Sequence, residues 1–581
     1  MRTRTHVWIG LVVLVTLCVG AAAVFLLTFD LDRYRPVVIS KLEEATGMSV
    51  QLGRLSLAWR GGLACRLEGL SLSPRGSAGE LPQAASPILQ LESASAVIRL
   101  MPLMRREIQV ASVILTRPQA HLIRTATGAV QLEGVPAPST SPGSSSHTPP
   151  ALGAALLISS LQIEEGTVQI TDLGSGQTSA PVTIKRIEAT VRNISLTRPI
   201  HIQVQAAVCG SEPNVSFSAK LRLPQRDQPG VMEDAHLSVD LDRVDLAEAG
   251  RAVPALAAFR LRDQLRGRLE ISVARLMLTP QGWTNLEGSF RLKDGHVAMT
   301  DMASPFDRVM VDATAGRGRM EIKEASARVA GGTISLNGRI EDLATQPHET
   351  ITVRADRIGL EAIGPMPGPR EPQLQGQLSF AFDGTATGLA WPQISRTLSG
   401  TGTLQLHDGK LANVNLVRDV LERLSMIPSL ADRLEQRLPP SYRAKLEANE
   451  TVFEPLDLAI VAANGVISAN AVRVASETFE LTGSATIALT GAMGSQLMLR
   501  IDPDLSAALI RSVNELQTLT DAQGRLEVPV SVEGSLPRVA VYPDLQYVAR
   551  RVLVTKAEEL IGNLLQRARQ PHGEVPAQPS P

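Results

Sequence analysis

Apolar and polar residues alternate along most of the chain, and a short phrase punctuates the alternation. Leu292 to Met299 reads LKDGHVAM, and Leu406 to Asn413 reads LHDGKLAN. IEEGTVQI surrounds Glu165-Gly166, VAGGTISL surrounds Gly331-Gly332, and AANGVISA surrounds Asn464-Gly465. Asp-Gly and Asn-Gly favour the left-handed backbone of two-residue type I′ turns, because Gly, Asn and Asp accept positive φ most readily. The phrase therefore predicts hairpin turns at Asp294-Gly295, Asp408-Gly409 and Asn464-Gly465. The residues on either side of each turn alternate with period two: Leu161 and Ile163 with Val168 and Ile170, Phe290 and Leu292 with Val297 and Met299, Leu404 and Leu406 with Leu411. Each set lies on one face of a sheet, with polar neighbours on the other. The spacing between phrases is irregular, so the chain reads as a run of some 20–25 strands built from hairpins and not as a strict solenoid. The fold class predicted is mainly β, with an N-terminal transmembrane helix, a hairpin-built antiparallel sheet and a few amphipathic helices.

Helical spacing appears in few places. Tyr34, Val38, Leu42 and Ala45 recur at helical intervals, with Pro36 in the first turn and Gly47 just past the end. A strand follows at Val50 and Leu52. Its apolar phase slips by one at Gly53-Arg54 and resumes at Leu55, Leu57 and Trp59, which predicts a bulge. Between Val414 and Glu447, Leu416, Val417, Val420, Leu421 and Leu424 form one apolar stripe. Pro428 breaks it, and a second segment stops at Pro439-Pro440. Asp544 is placed to cap a final helix whose stripe includes Leu545, Val548 and Val552.

Val7 to Phe29 contains no charged residue, which is long enough for a helix to cross a hydrocarbon layer of about 20 residues. Arg2 and Arg4 precede it and favour a cytoplasmic N-terminus. The apolar run continues as VFLLTF beyond the small residues VGAAA, so an uncleaved anchor is expected in preference to a signal peptide. Its apolar positions include Trp8, Leu11, Leu14, Leu17, Phe25 and Leu27. The organisation expected is an anchor at 1–29, a membrane-proximal αβ block at 30–134 and a Pro/Ser-rich linker at 135–153. A central β region at 154–363, a Pro/Gly-rich boundary at 364–373 and a second β region at 374–549 with its helical insertion at 414–447 follow. A C-terminal helix and tail occupy 550–581.

Composition narrows the chemistry. In 581 residues the net charge is −1, so no field for nucleic acid is expected. Aromatics are 3% against 44% hydrophobic residues, so the apolar surface is aliphatic and lacks stacking platforms for sugars or bases. Of three cysteines, Cys18 lies in the anchor segment, leaving Cys65 and Cys209, whose pairing sequence leaves open. No H-E-x-x-H, G-x-S-x-G or P-loop motif occurs. Asp502-Pro503-Asp504 reads as a turn and helix cap. No enzyme, cofactor or metal is expected.

The chain resembles the AsmA-like family of Gram-negative envelope proteins. The carrying residues are the anchor, Tyr34-Arg35-Pro36, Thr46-Gly47, Val50, and Gly53 with Leu55 and Leu57. Toward the other end they are Gly402 to Pro428 and Gly524 to Arg551. The sequence departs from the family pattern at Met48, where a basic residue is common, and at Val135 to Gly153, which looks like an insertion. The resemblance implies a chorein-like start and a membrane-anchored β-rich groove. It further implies a periplasmic location outside the inner membrane, and a role in moving phospholipid toward the outer membrane or maintaining that membrane. An envelope protein partner is compatible with it.

A sheet apolar on one face must cover that face. Alternation is the same whether two sheets close as a sandwich or one sheet curls into a trough that meets acyl chains. The anchor, the low aromatic content and the resemblance favour the trough. Its candidate lining positions are Ile163, Val168, Phe290, Leu292, Val297, Leu404, Leu406, Leu411, Ile487 and Leu489. The rival expectation is a non-enzymatic scaffold or assembly factor for outer-membrane proteins, recruiting strands at exposed sheet edges.

Overall fold

Strand-forming alternation dominates the computed structural model. It describes residues 31–59, 63–73, 87–99, 110–124, 130–132, 159–172, 181–195, 197–225, 228–252, 260–262, 265–279, 282–343, 346–363, 373–424, 438–489, 491–535 and 538–551. The anchor with Trp8, Leu11, Leu14, Leu17, Phe25 and Leu27, the linker at 135–153 and the last thirty residues lie outside these. Among the described residues no helix is long and apolar enough to cross a membrane. The chain divides into two units, residues 1–298 with 311–317 and residues 299–310 with 318–581.

The first unit opens on helix α1 (Arg35–Thr46), with Pro36 in its first turn and Gly47 closing it at φ 70°. Strands β1 (Ser49–Gln51) and β2 (Arg54–Trp59) both pair with β3 (Leu63–Ser73). Gly53 lies between them, donating its N–H to the carbonyls of Glu68 and Gly69, so the expected slip is present. Strands β4 (Leu89–Ile98), β5 (Val110–Thr116), β6 (Gln119–Arg124) and β7 (Val130–Leu132) follow. So do β8 (Ser160–Asp172), β9 (Val182–Arg192), β10 (Ile200–Val208), β11 (Val215–Arg222) and β12 (Gly230–Asp240). Helix α2 (Leu246–Ala252), β13 (Arg266–Thr279) and β14 (Gly282–Val297) complete the run. The ladder is antiparallel except at β8, which runs parallel to β5 and β6, both of which lie along it. A wholly hairpin-built antiparallel sheet is therefore corrected here. The parallel pairing requires a long crossover, and residues 133–159 supply the chain length for one.

The second unit holds β16 (Arg319–Val329), β17 (Gly332–Glu341), β18 (His348–Gly359) and β19 (Gln373–Thr387), preceded by β15 (Phe306–Gly316), whose residues fall in both units. Helix α3 (Trp391–Thr397), β20 (Ser399–Ala412) and α4 (Leu416–Arg423) come next. They are followed by α5 (Pro440–Glu447), β21 (Glu450–Val452), β22 (Leu456–Ala463), β23 (Val466–Ala475), β24 (Phe479–Ala488) and β25 (Ala492–Ile501). Helix α6 (Pro503–Ser512), β26 (Glu527–Ser535) and β27 (Arg538–Pro543) end it. The stripe of α4 is buried as predicted, and Asp502 caps α6 by accepting from the N–H of Asp504 and of Leu505. Asp544 likewise accepts from the N–H of Gln546 and Tyr547.

The repeated phrase has two meanings. Asn464-Gly465 is the expected turn, at φ 52° and 80°, between Ala463 and its partner Val466. Ala330-Gly331 is another, at φ 50° and 79°. Asp294-Gly295 and Asp408-Gly409 are not turns. Each lies inside one long strand, β14 or β20, with Asp294 at φ 51° and Asp408 at φ 52°. Each coincides with a register slip, Arg266↔His296 to Arg268↔Lys293 in one ladder and Gln375↔Lys410 to Gln377↔His407 in the other. Glu165, at φ 54°, does the same within β8. These are bulges, which add twist and leave the strand unbroken.

The bulges face a glycine that only the structure reveals. Gly267 (φ 116°) lies against the Lys293 carbonyl and Gly295 Cα, and Gly376 (φ 126°) lies against the His407 and Asp408 carbonyls and Gly409 Cα. A Cβ on Gly376 would come within 2.9 Å of the His407 oxygen, at a φ that side chains avoid. Gly376→Val is expected to cost about 2 kcal/mol, read as a lower urea midpoint. An unchanged midpoint would show that the bulge is loosely held. The strands around each glycine also match: Arg266-Gly267-Arg268-Leu269 pairs onto Leu292, and Gln375-Gly376-Gln377-Leu378 pairs onto Leu406. Each unit thus contains the same bulged strand pair.

Candidate functional site: the apolar sheet rows

Directly opposed residues share a face, so the ladder registers place side chains in rows across the strands. One row crosses the first unit from β2 to β14 as Leu55, Leu67, Ala94, Leu115, Ile163, Ala189, Val204, Phe217, Leu237, Ile271 and Phe290, omitting β6 and β7. Every member is apolar. A second row joins Ala206, Val215, Val239, Leu269 and Leu292. Alternate positions carry Gln203, Gln205, Ser216, Ser238 and Glu270, with cross-strand ion pairs such as Lys293–Glu270 at 2.9 Å and Lys220–Asp234 at 2.7 Å. Surface pairs of this kind contribute little stability, but they keep that face in water.

Burial along the long row falls off toward β14. Leu55 and Ala94 are buried with Leu67 half-buried between them, from Leu115 to Ile271 every member is half-buried, and Phe290 is exposed. A shallow cavity of about 590 Å³ crosses β9 to β13, and ten of its fifteen lining residues are polar ones at the alternate positions, among them Gln203, Gln205, Ser216, Ser238 and Glu270. Arg117, beside β8, pairs with Glu92 and Glu165 at 2.7 Å each. Its hydrogen bond holds the Glu165 carboxyl below the usual range, in open solvent. Cys65 and Cys209 are both free thiols, so the open question of their pairing is answered, and burial pushes both thiols up.

In the second unit the corresponding row runs from β16 to β22 as Ala327, Ile334, Ala355, Phe380, Leu404 and Leu458. Its large members are again half-buried. Beyond β22 the same kind of face is sealed at one end of the strands, while Ile467, Ile487 and Met493 toward the other end stay half-buried. Val474, Leu481, Leu499 and Val528 form one row across β23 to β26. Leu481 is 6% exposed, Leu499 1% and Val528 3%. Leu505 and Leu509 of α6, Leu516 and Leu519 beyond it, the stripe of α4, and Val548 join them in one core. Ser506 and Asn415 are satisfied inside this cover. Ser506 Oγ donates to the Ile501 carbonyl and accepts from Leu526 N–H, each at 3.0 Å. Asn415 Nδ2 donates to the carbonyls of Lys445 and Ala448. Arg423 lies over the Tyr542 ring at 4.6 Å.

The ten candidate lining residues therefore occupy different environments. Ile163, Val168, Leu292, Val297, Leu404, Leu411, Ile487 and Leu489 are half-buried, and Phe290 is exposed. Leu406 is buried at 6%, because the Asp408-Gly409 bulge folds back over it and sets Gly409 against its side chain. Leu411 packs against the C-terminal core. Val204, Phe217, Leu237 and Ile271 were missed as row members, since the strands that hold them carry no Asp-Gly phrase.

Glu349 is the polar exception on the second unit's apolar face. It sits in register between Ile340 and Ala386, is 7% exposed, and burial raises its carboxyl pKa. Because the folded-state pKa lies above the unfolded one, its contribution is intact in acid and is lost as pH rises through the raised value. Glu349→Gln is expected to raise the melting temperature at pH 8 and leave it nearly unchanged at pH 4. Equal shifts at both pH values would remove burial of the charge as the cause.

The family model of the AsmA family matches residues 1–257, which contain α1 and the strands from β1 to β12. No curated protein and no solved structure gives a match. The half-buried apolar rows of a mainly β chain and this N-terminal match agree with the resemblance carried by Tyr34-Arg35-Pro36 and Gly53: residues 1–257 of the chain are AsmA-like.

Proposed function

We propose that the half-buried apolar rows carry the acyl chains of phospholipids, in a protein held in the inner membrane by Val7 to Phe29 with its bulk in the periplasm. On this reading the chain conducts lipid between inner and outer membrane and so supports the outer membrane. The observation that carries it is the row from Leu115 to Phe290, apolar at every strand and sealed at none. An exposed CH₂ costs about 0.8 kcal/mol in water, so an extended chain of sixteen costs about 13 kcal/mol. A continuous aliphatic row removes much of that cost at each position, and the amides, hydroxyls and ion pairs on alternate positions leave head groups in water. At about 4.8 Å per strand the row from β2 to β14 follows the sheet for roughly 50 Å.

The test is mass spectrometry of phospholipid co-purified with the full chain extracted in mild detergent. Roughly stoichiometric lipid supports the conduit. Lipid-free protein that captures a defined envelope protein instead supports the second reading, a scaffold or assembly factor for outer-membrane proteins. Exposed edge residues such as Val452, 54% accessible on the three-residue strand β21, favour that alternative.

A further inference from the structure

The two halves of the second unit's apolar face differ in a way that neither the family match nor the acyl-chain reading requires. From β16 to β22 Ile334, Phe380, Leu404 and Leu458 are half-buried, while Ala355 between Ile334 and Phe380 is buried and these two pack against the small core it forms with Val329 and Ile358. On β24 to β26 the row Leu481, Leu499 and Val528 is closed to 6% exposure or less, while Val474 on β23 and, toward the other end of β23 to β25, Ile467, Ile487 and Met493 stay half-buried. The change falls at β22, where Leu458 and Ile460 are half-buried and touch the C-terminal core at the same time. The closure is not incidental packing. It is built by two elements inserted between strands, α4 after β20 and α6 after β25, and by the helical residues 545–551 after β27. Capped starts at Asn415, Asp502 and Asp544 fix all three.

We propose that this cover is a stop. The second unit holds an acyl-chain site on β16 to β22, and lipid leaves it without passing beneath the cover on the Leu481, Leu499 and Val528 row. The proposal rests on the acyl-chain reading and adds the place where the path ends. Six strands at about 4.8 Å give that row roughly 24 Å. The chains of one leaflet span about 15 Å, half of the roughly 30 Å hydrocarbon layer, so the open row is long enough for the chains of one lipid. To pass further, a chain would have to displace Leu505, Leu509, Leu516 and Leu519 from the sheet, each 1% exposed or less.

A diazirine-bearing leucine analogue, nearly isosteric with the native side chain, placed singly at Leu237, Leu404 and Leu499 of the full chain tests this. Cells are irradiated and adducts are read by mass spectrometry, with limited proteolysis as the check on folding. Leu481 replaces Leu499 if that variant is digested faster than the parent. Lipid adducts are expected at Leu237 and Leu404, with at least tenfold fewer at Leu499. Comparable adducts at Leu404 and Leu499 would overturn the stop and leave the acyl-chain reading intact. Adducts at Leu237 alone would overturn the second-unit site. Adducts at none of the positions would overturn the acyl-chain reading and the stop with it.

Discussion

Leu499→Asp is expected to unfold the C-terminal part of the second unit, lowering stability by more than about 4 kcal/mol. Leu499 is 1% exposed, opposed by Leu481 and Val528, and belongs to the core that Leu505 and Leu509 of α6 complete. An aspartate there would be enclosed by Leu481, Val528 and the leucines of α6, so its desolvation is largely uncompensated. The same position as methionine keeps volume and polarity and should cost less than about 1.5 kcal/mol. Urea titration followed by circular dichroism separates the two. An aspartate variant that melts within a degree or two of the parent would mean that the cover does not hold the face closed.

Leu237→Asp should do the opposite. Its side chain lies mid-row between Phe217 and Ile271 and is half-buried, so a charge there retains access to water. The expected cost is about 1 kcal/mol, with the denaturant midpoint almost unmoved. Co-purified phospholipid is expected to fall severalfold, because a carboxylate interrupts the aliphatic row. Leu292→Asp, in the neighbouring row, should behave in the same way. Leu406→Asp should not: buried beneath its bulge, it belongs with the core class and should destabilise the fold. A Leu237→Asp protein that loses its fold would show the row to be an ordinary core. One that folds and retains its lipid would remove the row from the path.

Much of the architecture is legible in the sequence because its causes are local. The cap at Gly47, the bulge at Gly53, the buried stripe of α4, and the Asp502 and Asp544 caps each depend on a few neighbouring residues and appear where expected. The Asp-Gly phrase shows the limit of this reasoning. A two-residue turn returns Leu292 and Val297 to one face, and so does a one-residue slip within a continuing strand. The apolar pattern is therefore identical in both. What separates Asp294-Gly295 from Asn464-Gly465 is a glycine on another strand, Gly267, lying against the bulge. That contact is invisible until β13 and β14 are paired.

Alternation and turn chemistry by themselves determined that this chain is mainly β, that its apolar surface is aliphatic, and which residues of each strand share a face. These follow from the two-residue period of a strand and the left-handed preference of Gly, Asn and Asp. Tertiary structure alone decided which parts of the apolar face are left half-open and which are sealed. Leu237 and Leu499 stand in similar alternating strands, yet one is half-buried and the other is 1% exposed. The difference comes from α6, inserted between β25 and β26, and from α4, which packs into the same core from its place after β20. Burial is a property of what lies opposite a side chain, and a strand's own residues do not encode that.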